Sequence, residues 1–388
     1  MKLARRVLDV EESVTLDITS RAKKMVKDGI DVVNFGAGEP DFDTPQHIKK
    51  AAIDAIMQGF TKYTPSSGTQ ELREAICRKF KKDNALLYSP QQIVVSSGAK
   101  HSLYNTIQVL CDRGDEVIIP SPYWLSYPEM VKLAQAKPIF IEARPENNFV
   151  MTEKDLVKKI TKKTKALILN SPSNPTGSIY GREELIKVAR LAVKHNFFII
   201  SDEIYEKFIY GNRPHISIAS LAKDVYERTI TVNGVSKSYA MTGWRIGYAA
   251  GPNEIMRSVA NLQSHATSNA SSIGQKAAYA ALEGDQKCVE DMRKEFEKRR
   301  ELLINRMNEI KNISFIKPEG AFYLFCDISR FKMDSSILAN RILDEAKVAV
   351  IPGTPFGAKF YIRLSFAASV DFINKGLDRL RDWAVKNG

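Results

Sequence analysis

The sequence Val232-Asn-Gly-Val-Ser-Lys-Ser-Tyr-Ala-Met-Thr-Gly-Trp-Arg-Ile-Gly-Tyr248 places a lysine, Lys237, between two apolar segments that have the composition of buried strands. Burial of an unpaired ammonium group is costly, and lysine is almost never fully buried unless it has a partner. Condensation of the amine with a carbonyl group removes this difficulty, because the product is a Schiff base. The position of Lys237 therefore predicts an amine that bonds covalently to a carbonyl compound.

Short apolar, β-branched runs lie on both sides of this segment. They cover residues 92–97, 116–120, 138–141, 166–170, 197–201, 229–233 and 245–250. Helical patterns separate several of them, at about residues 99–110 and 182–194. Strands that are apolar throughout and alternate with helices are typical of a mostly parallel sheet covered on both faces. The centre of the chain is therefore predicted to be α/β, with a mostly parallel central sheet.

The pattern changes near residue 283. Residues 283–312 are polar with apolar side chains at steps of three, four and seven, which predicts one long amphipathic helix. Three predicted elements follow it: strands over 321–325 and 361–365 and a helix over 370–386. Near the N-terminus, residues 16–27 are predicted to form a helix that precedes the loop 34–41.

These changes suggest where domains begin and end. Because 388 residues exceed a typical single domain, two domains are expected. We predict a large α/β domain over residues 44–285. Residues 286–388 would form a small α+β domain that the N-terminal residues 1–43 join, and the long helix would bridge the two.

Polar side chains follow three of the predicted strands. Asn174, Asp202 and Lys237 each lie at or just past the end of a strand, where ligands bind in open parallel sheets. Ser97-Gly-Ala-Lys100 joins a strand to a helix, so its free N–H groups can hold a phosphate. Pyridoxal 5'-phosphate (PLP) forms a Schiff base with a lysine and takes an acidic partner on its ring nitrogen. The sequence therefore predicts a PLP site.

Each residue has a role that its chemistry suits. Asp202 ends an apolar strand and needs a cation, which a protonated pyridine nitrogen supplies. Tyr205 and Asn174 can reach the phenolic oxygen of the ring. Trp124 offers a flat face for stacking, and Arg245, predicted to be fixed in a strand, carries a fork that suits phosphate. The freed lysine amine would move a proton between the substrate α-carbon and the cofactor.

Taken singly, these features have more ordinary interpretations. A strand that ends in Asp-Glu, as residues 199–203 do, resembles the Mg²⁺ strand of a P-loop ATPase, but the chain contains no GxxxxGK[ST] motif. Gly98 could be an ordinary glycine at a helix start, and Trp124 could belong to the core. Their occurrence together, in this order, favours the cofactor site.

The composition argues against several other classes of protein and of site. The net charge is +12, but the lysines are spread along helical patterns and mixed with acids, and no nucleic-acid-binding motif is present, so we expect no nucleic-acid partner. No run approaches roughly 20 apolar residues and no signal peptide is visible, which predicts a cytoplasmic protein without a membrane partner. Four cysteines without a CxxC pair and five histidines without ligand spacing predict neither disulfides nor a metal site.

Motifs spread over the whole chain resemble those of a single family. They are Gly36-Ala-Gly-Glu-Pro-Asp-Phe-Asp-Thr-Pro45, Thr61-Lys-Tyr-Thr-Pro65, Ser97-Gly-Ala-Lys100, Pro122-Tyr-Trp-Leu-Ser-Tyr127, Asn170-Ser-Pro-Ser-Asn-Pro-Thr-Gly177, Ser201-Asp-Glu-Ile-Tyr205, Val235-Ser-Lys237 with Gly243-Trp-Arg-Ile-Gly247, Pro318-Glu-Gly-Ala-Phe-Tyr323 and Tyr361-Ile-Arg-Leu-Ser365. With these motifs the chain resembles the fold-type I PLP-dependent aminotransferases of the class I/II superfamily, specifically aspartate aminotransferase subgroup Ib. The resemblance implies the PLP-dependent transferase fold, with a large and a small domain.

The resemblance also implies roles for individual residues. Lys237 would carry PLP, Asp202 would pair with the pyridinium nitrogen, and Tyr205 would bond the phenolic oxygen. Asn174 would serve that oxygen and the substrate carboxylate. The residues expected to form the phosphate cup are Gly98, Ala99, Lys100, Ser236 and Arg245.

Further residues are implied to bind substrate and to join two subunits. Arg363 is the expected bidentate anchor for the substrate α-carboxylate, with Gly38 and Trp124 beside it. The tyrosine that matches Tyr63 reaches the phosphate of the neighbouring subunit in this family, which implies a homodimer with shared sites. Some relatives place a hydroxyl three residues before the lysine, where this chain has Gly234.

The expected reaction is ping-pong transamination between L-aspartate and 2-oxoglutarate, giving oxaloacetate and L-glutamate. The sequence does not identify the group that would bind a distal carboxylate. Enzymes similar to this chain include some that also transaminate prephenate to arogenate and others that prefer aromatic amino acids, so both substrates stay open. A C–S lyase or decarboxylase on the same fold, and a non-enzymatic nucleic-acid-binding role, are the alternatives from other classes.

Overall fold

The computed structural model describes residues 3–10 and 14–387. Its strands are β1 (Val33–Asn34), β2 (Ile93–Ser96), β3 (Glu116–Ser121), β4 (Lys137–Glu142), β5 (Thr164–Asn170), β6 (Phe198–Asp202), β7 (Thr229–Gly234), β8 (Gly247–Ala250), β9 (Ser314–Phe315), β10 (Tyr323–Asp327), β11 (Val348–Ala349), β12 (Ile351–Pro352) and β13 (Tyr361–Ser365). Its helices are α1 (Arg5–Leu8), α2 (Val14–Lys27), α3 (Gln46–Met57), α4 (Gln70–Asn84), α5 (Ala99–Leu110), α6 (Ser126–Leu133), α7 (Glu153–Lys159), α8 (Arg182–His195), α9 (Lys223–Tyr226), α10 (Asn253–Ala266), α11 (Ser272–Glu283), α12 (Lys287–Met307), α13 (Ser335–Arg341) and α14 (Val370–Asn387).

A seven-stranded sheet forms the centre of the molecule, in the order β2-β8-β7-β6-β5-β3-β4. The neighbours from β7 to β4 pair in parallel, and β8 pairs antiparallel with both β7 and β2. The prediction of an α/β fold with a mostly parallel central sheet is confirmed. The carboxyl ends of β5, β6 and β7 consequently meet at one edge.

Helices cover both faces of this sheet. Along β6, Ile200 packs in one apolar cluster with Leu103 and Ile107 of α5. Its neighbour Ile199 packs in another cluster with Leu185 and Val188 of α8. Because successive side chains of a strand point to opposite faces, a strand buried on both sides is apolar at every position. This explains the continuous apolar runs in the sequence.

The remaining strands form two smaller sheets. A four-stranded antiparallel sheet has the order β12-β13-β10-β9, and β1 pairs in parallel with β11. One apolar cluster joins these strands to α12 and α14, through Phe296 and Leu303 of α12 and Leu377 and Trp383 of α14. The division of the chain at residues 43 and 285 stays a prediction. Within the described ranges, every helix is too short or too polar to cross a bilayer.

The long helix predicted over residues 283–312 is shorter than expected. Residue 283 ends α11, and a new helix runs over Lys287–Met307. The break at Gly284 is stabilised by the side-chain amide of Gln286, which donates to the carbonyls of Ala281 at 3.0 Å and Gly284 at 2.7 Å. These bonds satisfy carbonyl groups that the end of α11 leaves without a helical partner.

Two predicted strands begin later than the apolar pattern indicates. The strand predicted over residues 245–250 begins at Gly247, because Arg245 has a left-handed φ of 56° after a 3₁₀ turn at Thr242–Trp244. The strand predicted over 321–325 is Tyr323–Asp327, because Ala321 also has a positive φ of 56°. Apolar composition alone does not reveal such a change of backbone direction.

Candidate active site

A cavity of about 490 Å³ opens at the carboxyl ends of β5, β6 and β7, between the large sheet and the smaller ones. Most residues that the sequence singled out line it. They are Gly38, Ala99, Lys100, Trp124, Asn174, Asp202, Tyr205, Ser236, Lys237, Arg245 and Arg363. Gly98 lies directly behind this lining, against the Arg245 guanidinium. Residues from both ends of the chain therefore converge on one concave site.

Lys237 follows β7 and is half-buried. Its Nζ donates a hydrogen bond to the carbonyl oxygen of Gly38 at 2.5 Å and lies 5.9 Å from the ring centroids of Tyr205 and Phe322. Burial lowers the pKa of Lys237 to about 8, although the Glu39 carboxylate opposes this effect. An amine with a pKa near neutrality is an effective nucleophile.

Asp202 is the last residue of β6, and only 3% of it is exposed. Its carboxylate accepts hydrogen bonds from the Tyr127 hydroxyl at 2.7 Å and from the backbone N–H of Ile204 at 3.3 Å. Burial raises the pKa of Asp202 to about 6, against the lowering effect of these two bonds. A ligand that brings a cation to this carboxylate would relieve the desolvation cost. Nothing in the sequence indicates that Tyr127 bonds Asp202.

Arg363 lies in β13 and is 5% exposed. Its Nη1 donates to Oδ1 of Asn174 at 2.9 Å and its Nη2 donates to the carbonyl of Gly36 at 3.1 Å. Its Nε is buried and has no hydrogen-bond partner among the described residues. The guanidinium also lies 4.3 Å from the ring centroid of Tyr323. These partners are all neutral, and burial lowers the pKa of the guanidinium. A buried arginine with neutral partners is suited to bind a carboxylate from a ligand.

Tyr205 is buried beside this arginine. Its hydroxyl lies 2.8 Å from the hydroxyl of Tyr323, which also lines the cavity. Tyr323 ends the motif at residues 318–323, and the motif alone indicates no role for this tyrosine. The two hydroxyls form a polar pair facing the cavity, with Arg363 next to them.

A cradle for an anion lies where β2 leads into α5. The helix begins at Ala99 after Gly98, whose φ is 91°. A Cβ atom on Gly98 would lie 2.5 Å from Nη2 of Arg245, so glycine is needed both for the backbone conformation and for this close approach. The prediction that Arg245 sits in a strand is wrong. Its guanidinium nevertheless reaches the helix start and donates to the carbonyls of Thr242 at 3.0 Å and Ser97 at 3.3 Å.

Trp124 and Lys100 lie together on one wall of the cavity. The Lys100 Nζ is 4.8 Å from the Trp124 ring centroid, and Trp124 meets Tyr127 edge to face at 5.3 Å. Ser236 is buried next to Lys237 and also lines the cavity. The Lys100 ammonium therefore lies over one face of the indole ring.

The structure separates one predicted residue from the others. Tyr63 is 91% exposed and does not line the cavity of its own chain. Conversely, Thr19 and Lys23 of α2 and Asn34 of β1 line the cavity and were not predicted. The only signal for them was the predicted helix at residues 16–27, which precedes the loop that carries Gly38.

Comparison with known proteins identifies the family. Residues 30–380 match the family model described as aminotransferase class I and II. The chain belongs to the class I and II aminotransferases. This confirms the family expected from the motifs.

Individual relatives of this aminotransferase are similar over their whole length. An aspartate aminotransferase of Bacillus sp. (strain YM-2) is 51% identical, covering 97% of this chain and 98% of the relative. A probable aspartate/prephenate aminotransferase of Aquifex aeolicus (strain VF5) is 45% identical, covering 98% of each chain. The crystal structure of the aspartate aminotransferase from Rhizobium meliloti superposes with a TM-score of 0.96 at 40% identity and covers 100% of both chains.

Proposed function

We propose that this aminotransferase uses PLP to transfer the amino group of L-aspartate to 2-oxoglutarate, forming oxaloacetate and L-glutamate by ping-pong exchange. The observation that carries the proposal is the placement of a half-buried amine, a buried carboxylate and a buried guanidinium in one cavity. These are Lys237, Asp202 and Arg363. The names of the relatives support the choice of aspartate.

The residues present fit PLP. The Lys237 amine is free to bond an aldehyde carbon, and Asp202 is a carboxylate whose pKa is raised by burial, so it is suited to pair with a cation. The start of α5 and the Arg245 fork form a cradle that a Cβ on Gly98 would fill, which suits a phosphate. When bound, PLP supplies an electron sink for charge that develops at the substrate α-carbon.

The chain's own groups would then handle protons and orientation. Asp202 would hold the proton on the ring nitrogen, and Tyr127 would keep that carboxylate in place through its hydroxyl. Tyr205 and Asn174 would donate hydrogen bonds to the phenolic oxygen. The Lys237 amine, once free, would take the proton from the substrate α-carbon, and its pKa of about 8 suits a base that works near neutral pH.

The charge of the cavity supports a substrate that carries a second carboxylate. Its ionisable lining is mostly cationic: Lys23, Lys100, Lys237, Arg245 and Arg363 against Glu39 and Asp202. Arg363 would bind the α-carboxylate, and Lys23 and Lys100 are the candidates for the distal one. This arrangement favours a dicarboxylate such as aspartate or 2-oxoglutarate over an apolar amino acid.

Arg363→Ala is expected to raise KM for every amino-acid substrate by about 100-fold, because each one loses a buried, charge-assisted bond to its α-carboxylate. Affinity for PLP should stay nearly unchanged, since the arginine contacts no part of the proposed phosphate cradle. Steady-state kinetics with aspartate and glutamate would measure the effect, and Arg113→Ala, at an exposed arginine outside the cavity, is the control. A KM that moved for one substrate alone would contradict the assignment of Arg363.

We also propose a homodimer in which Tyr63 reaches the site of the partner. Its support is exposure: Tyr63 is 91% exposed, and Ile53, Ile56 and Met57, which precede it by six to ten positions, are at least half exposed. Apolar side chains that cluster on a surface often mark a subunit interface.

Mixed dimers test this arrangement. Tyr63→Ala and Lys237→Ala chains, each impaired alone, should regain about a quarter of wild-type activity when mixed equally and allowed to exchange, because half the dimers then contain one native site. The control mixes Lys237→Ala with Asp202→Asn, because both residues belong to the site of their own chain. Their hybrid has one defective residue in each of its two sites, so no activity should return. If no activity returned for the first pair, Tyr63 would not act in the site of the partner subunit.

An absorbance spectrum, recorded before and after L-aspartate is added, is the direct experiment for the whole proposal. A visible band that shifts to the ultraviolet is the expected result, because the amino group moves onto the cofactor. A band that does not change would point to another amino donor. No band after incubation with PLP would overturn the proposal. Pyruvate formed without any keto acid would instead indicate a lyase.

A second substrate is favoured by one observation. A relative named for both aspartate and prephenate is 45% identical over nearly its whole length. In addition, the side chains of Trp124, Tyr127 and Tyr323 give this cavity aromatic walls. Prephenate carries two carboxylates and a ring, so the same cationic lining could bind it. Turnover of prephenate with aspartate as donor would establish this activity, and its absence would limit the enzyme to aspartate.

A further inference from the structure

A buried carboxylate that the proposed reaction does not use follows β6 directly. Glu203 is 1% exposed and accepts hydrogen bonds from four side chains. The hydroxyls of Ser201 and Ser217 lie 2.8 and 2.7 Å from its Oε1, and Nε2 of His215 and Nδ2 of Asn84 lie 2.8 and 3.2 Å from its Oε2. Such a set of donors holds both oxygens of the group in one orientation.

A second buried carboxylate completes the arrangement. Glu206 pairs with the Lys79 ammonium, accepts a bond from Asn84 at 2.8 Å and lies 4.0 Å from His215. Burial alone would raise the pKa of Glu206, but the nearby positive charges, Lys79 foremost, outweigh it and lower that pKa to about 2. Burial likewise opposes the charging of His215, yet the Glu203 carboxylate raises its pKa. We call Lys79, Glu203, Glu206 and His215 the buried charge cluster.

The cluster contains its own cation. Glu203, Glu206 and His215 do offer ligand atoms within 4.8 Å of one another. However, the Lys79 ammonium already pairs with Glu206 and donates to Asn84 at 2.7 Å, and the amide of Asn84 bonds both carboxylates. The cation that these acids need is therefore supplied by the protein itself.

We propose that Glu203 is a positioning residue for Asp202, which holds the end of β6 in place and adds a fixed negative charge behind the carboxylate that faces the ring nitrogen. The inference rests on the proposed PLP function. Glu203 is adjacent to Asp202 in the chain, and its backbone N–H bonds the carbonyl of Val232 on β7 at 2.9 Å. Through Asn84 and Ser217 it also ties this strand end to α4 and to the loop after residue 210.

The electrostatic part of the proposal has support within the structure. Burial is the main cause of the raised pKa of Asp202, and the charge of Glu203 adds to it, whereas Lys237 acts in the opposite direction. A negative charge at this position would stabilise a cation on the cofactor ring and on the imine that Lys237 forms. Other ionisable groups face the two carboxylates and must stay unchanged in any test. They are Tyr127, Tyr205 and Lys237 around Asp202, and Tyr88, Lys79, Glu206 and His215 around Glu203.

Charge-changing and charge-neutral variants of the cofactor-loaded protein separate this role from a structural one. The readout is the pH at which the visible band is half lost, together with the Kd of the apoprotein for PLP. Glu203→Gln removes a negative charge and should lower that pH by about one unit and weaken PLP binding several-fold. His215→Gln removes the imidazole whose positive charge the adjacent Glu203 carboxylate favours, and should shift the midpoint upward. Ser217→Ala removes a hydrogen bond to Glu203 but no charge, and should lower Tm while leaving the midpoint unchanged.

The outcomes are distinct. Opposite shifts for Glu203→Gln and His215→Gln, with none for Ser217→Ala, would establish the proposal. Shifts in one direction for all three variants, or changes in Tm alone, would overturn it. If Glu203→Gln does not fold, the upward shift of His215→Gln against the unchanged Ser217→Ala decides the matter. A wild-type protein without a visible band would refute the proposed function instead, before any variant is compared.

Discussion

Lys237→Ala should abolish turnover, with a fall in kcat of at least about 10⁴-fold, because one side chain supplies both the covalent link to the cofactor and the base for the α-proton. In the structure its Nζ lies in the cavity, donates a hydrogen bond to the carbonyl of Gly38 and is near the ring of Tyr205. The variant should also lose the visible band that depends on a lysine imine. Absorbance spectra and single-turnover assays with L-aspartate would measure both effects.

The same cavity offers a matched control. Lys100 also lines it, with its Nζ over the Trp124 ring. Lys100→Ala should keep the visible band, because Lys237, which follows β7 at the carboxyl edge of the sheet, is the lysine proposed to bond the cofactor. Loss of the band in Lys100→Ala and its survival in Lys237→Ala would reverse the assignment of the two lysines.

Asp202→Asn should lower kcat by about 10³-fold or more while PLP stays bound, because a neutral amide does not keep the ring nitrogen protonated. The structural change is small, since the amide oxygen of asparagine can still accept the Tyr127 hydroxyl bond at 2.7 Å, and only the longer bond from the Ile204 N–H at 3.3 Å is lost. Unchanged kcat would refute the role of Asp202 at the ring nitrogen.

The same variant should be more stable than the wild type when the cofactor is absent. Burial raises the pKa of Asp202 from 3.8 to about 6, so the folded apoprotein holds this proton more tightly than the unfolded chain does. The cost of ionising the buried group therefore grows as pH rises from about 4 to 6 and is constant above that, at about 3 kcal/mol. Asparagine avoids this cost. Denaturant unfolding of both apoproteins at pH 4 and pH 7.5 would show a gain for the variant at the higher pH alone.

Some residues of the site could be located from their immediate neighbours in the sequence. Lys237 and Asp202 could be located from the sequence because each lies at or just past the end of an apolar strand, and the order of strands and helices then fixes the edge where they meet. The helix start at Ala99 was likewise readable from the sequence, because Gly98 marks it and a strand precedes it.

The partners of these residues could not be predicted in the same way. The bond between Tyr127 and Asp202 joins residues 75 positions apart, and that between Tyr205 and Tyr323 joins residues 118 apart. Such contacts depend on how the elements pack, which the spacing of apolar residues does not encode. Arg245 illustrates the same limit at short range, because its left-handed backbone follows from a 3₁₀ turn inside a stretch whose composition favours a strand.

The bond from Arg363 to the carbonyl of Gly36 joins residues 327 positions apart. It has a consequence for the order in which the site comes into being on the ribosome. At the usual ~5–20 residues per second, roughly ten seconds separate the emergence of Arg245 from that of Arg363. All the residues proposed to bind the cofactor within one chain have thus been synthesised before the proposed substrate anchor, Arg363. The binding site for an amino acid forms only when the last strands join the first.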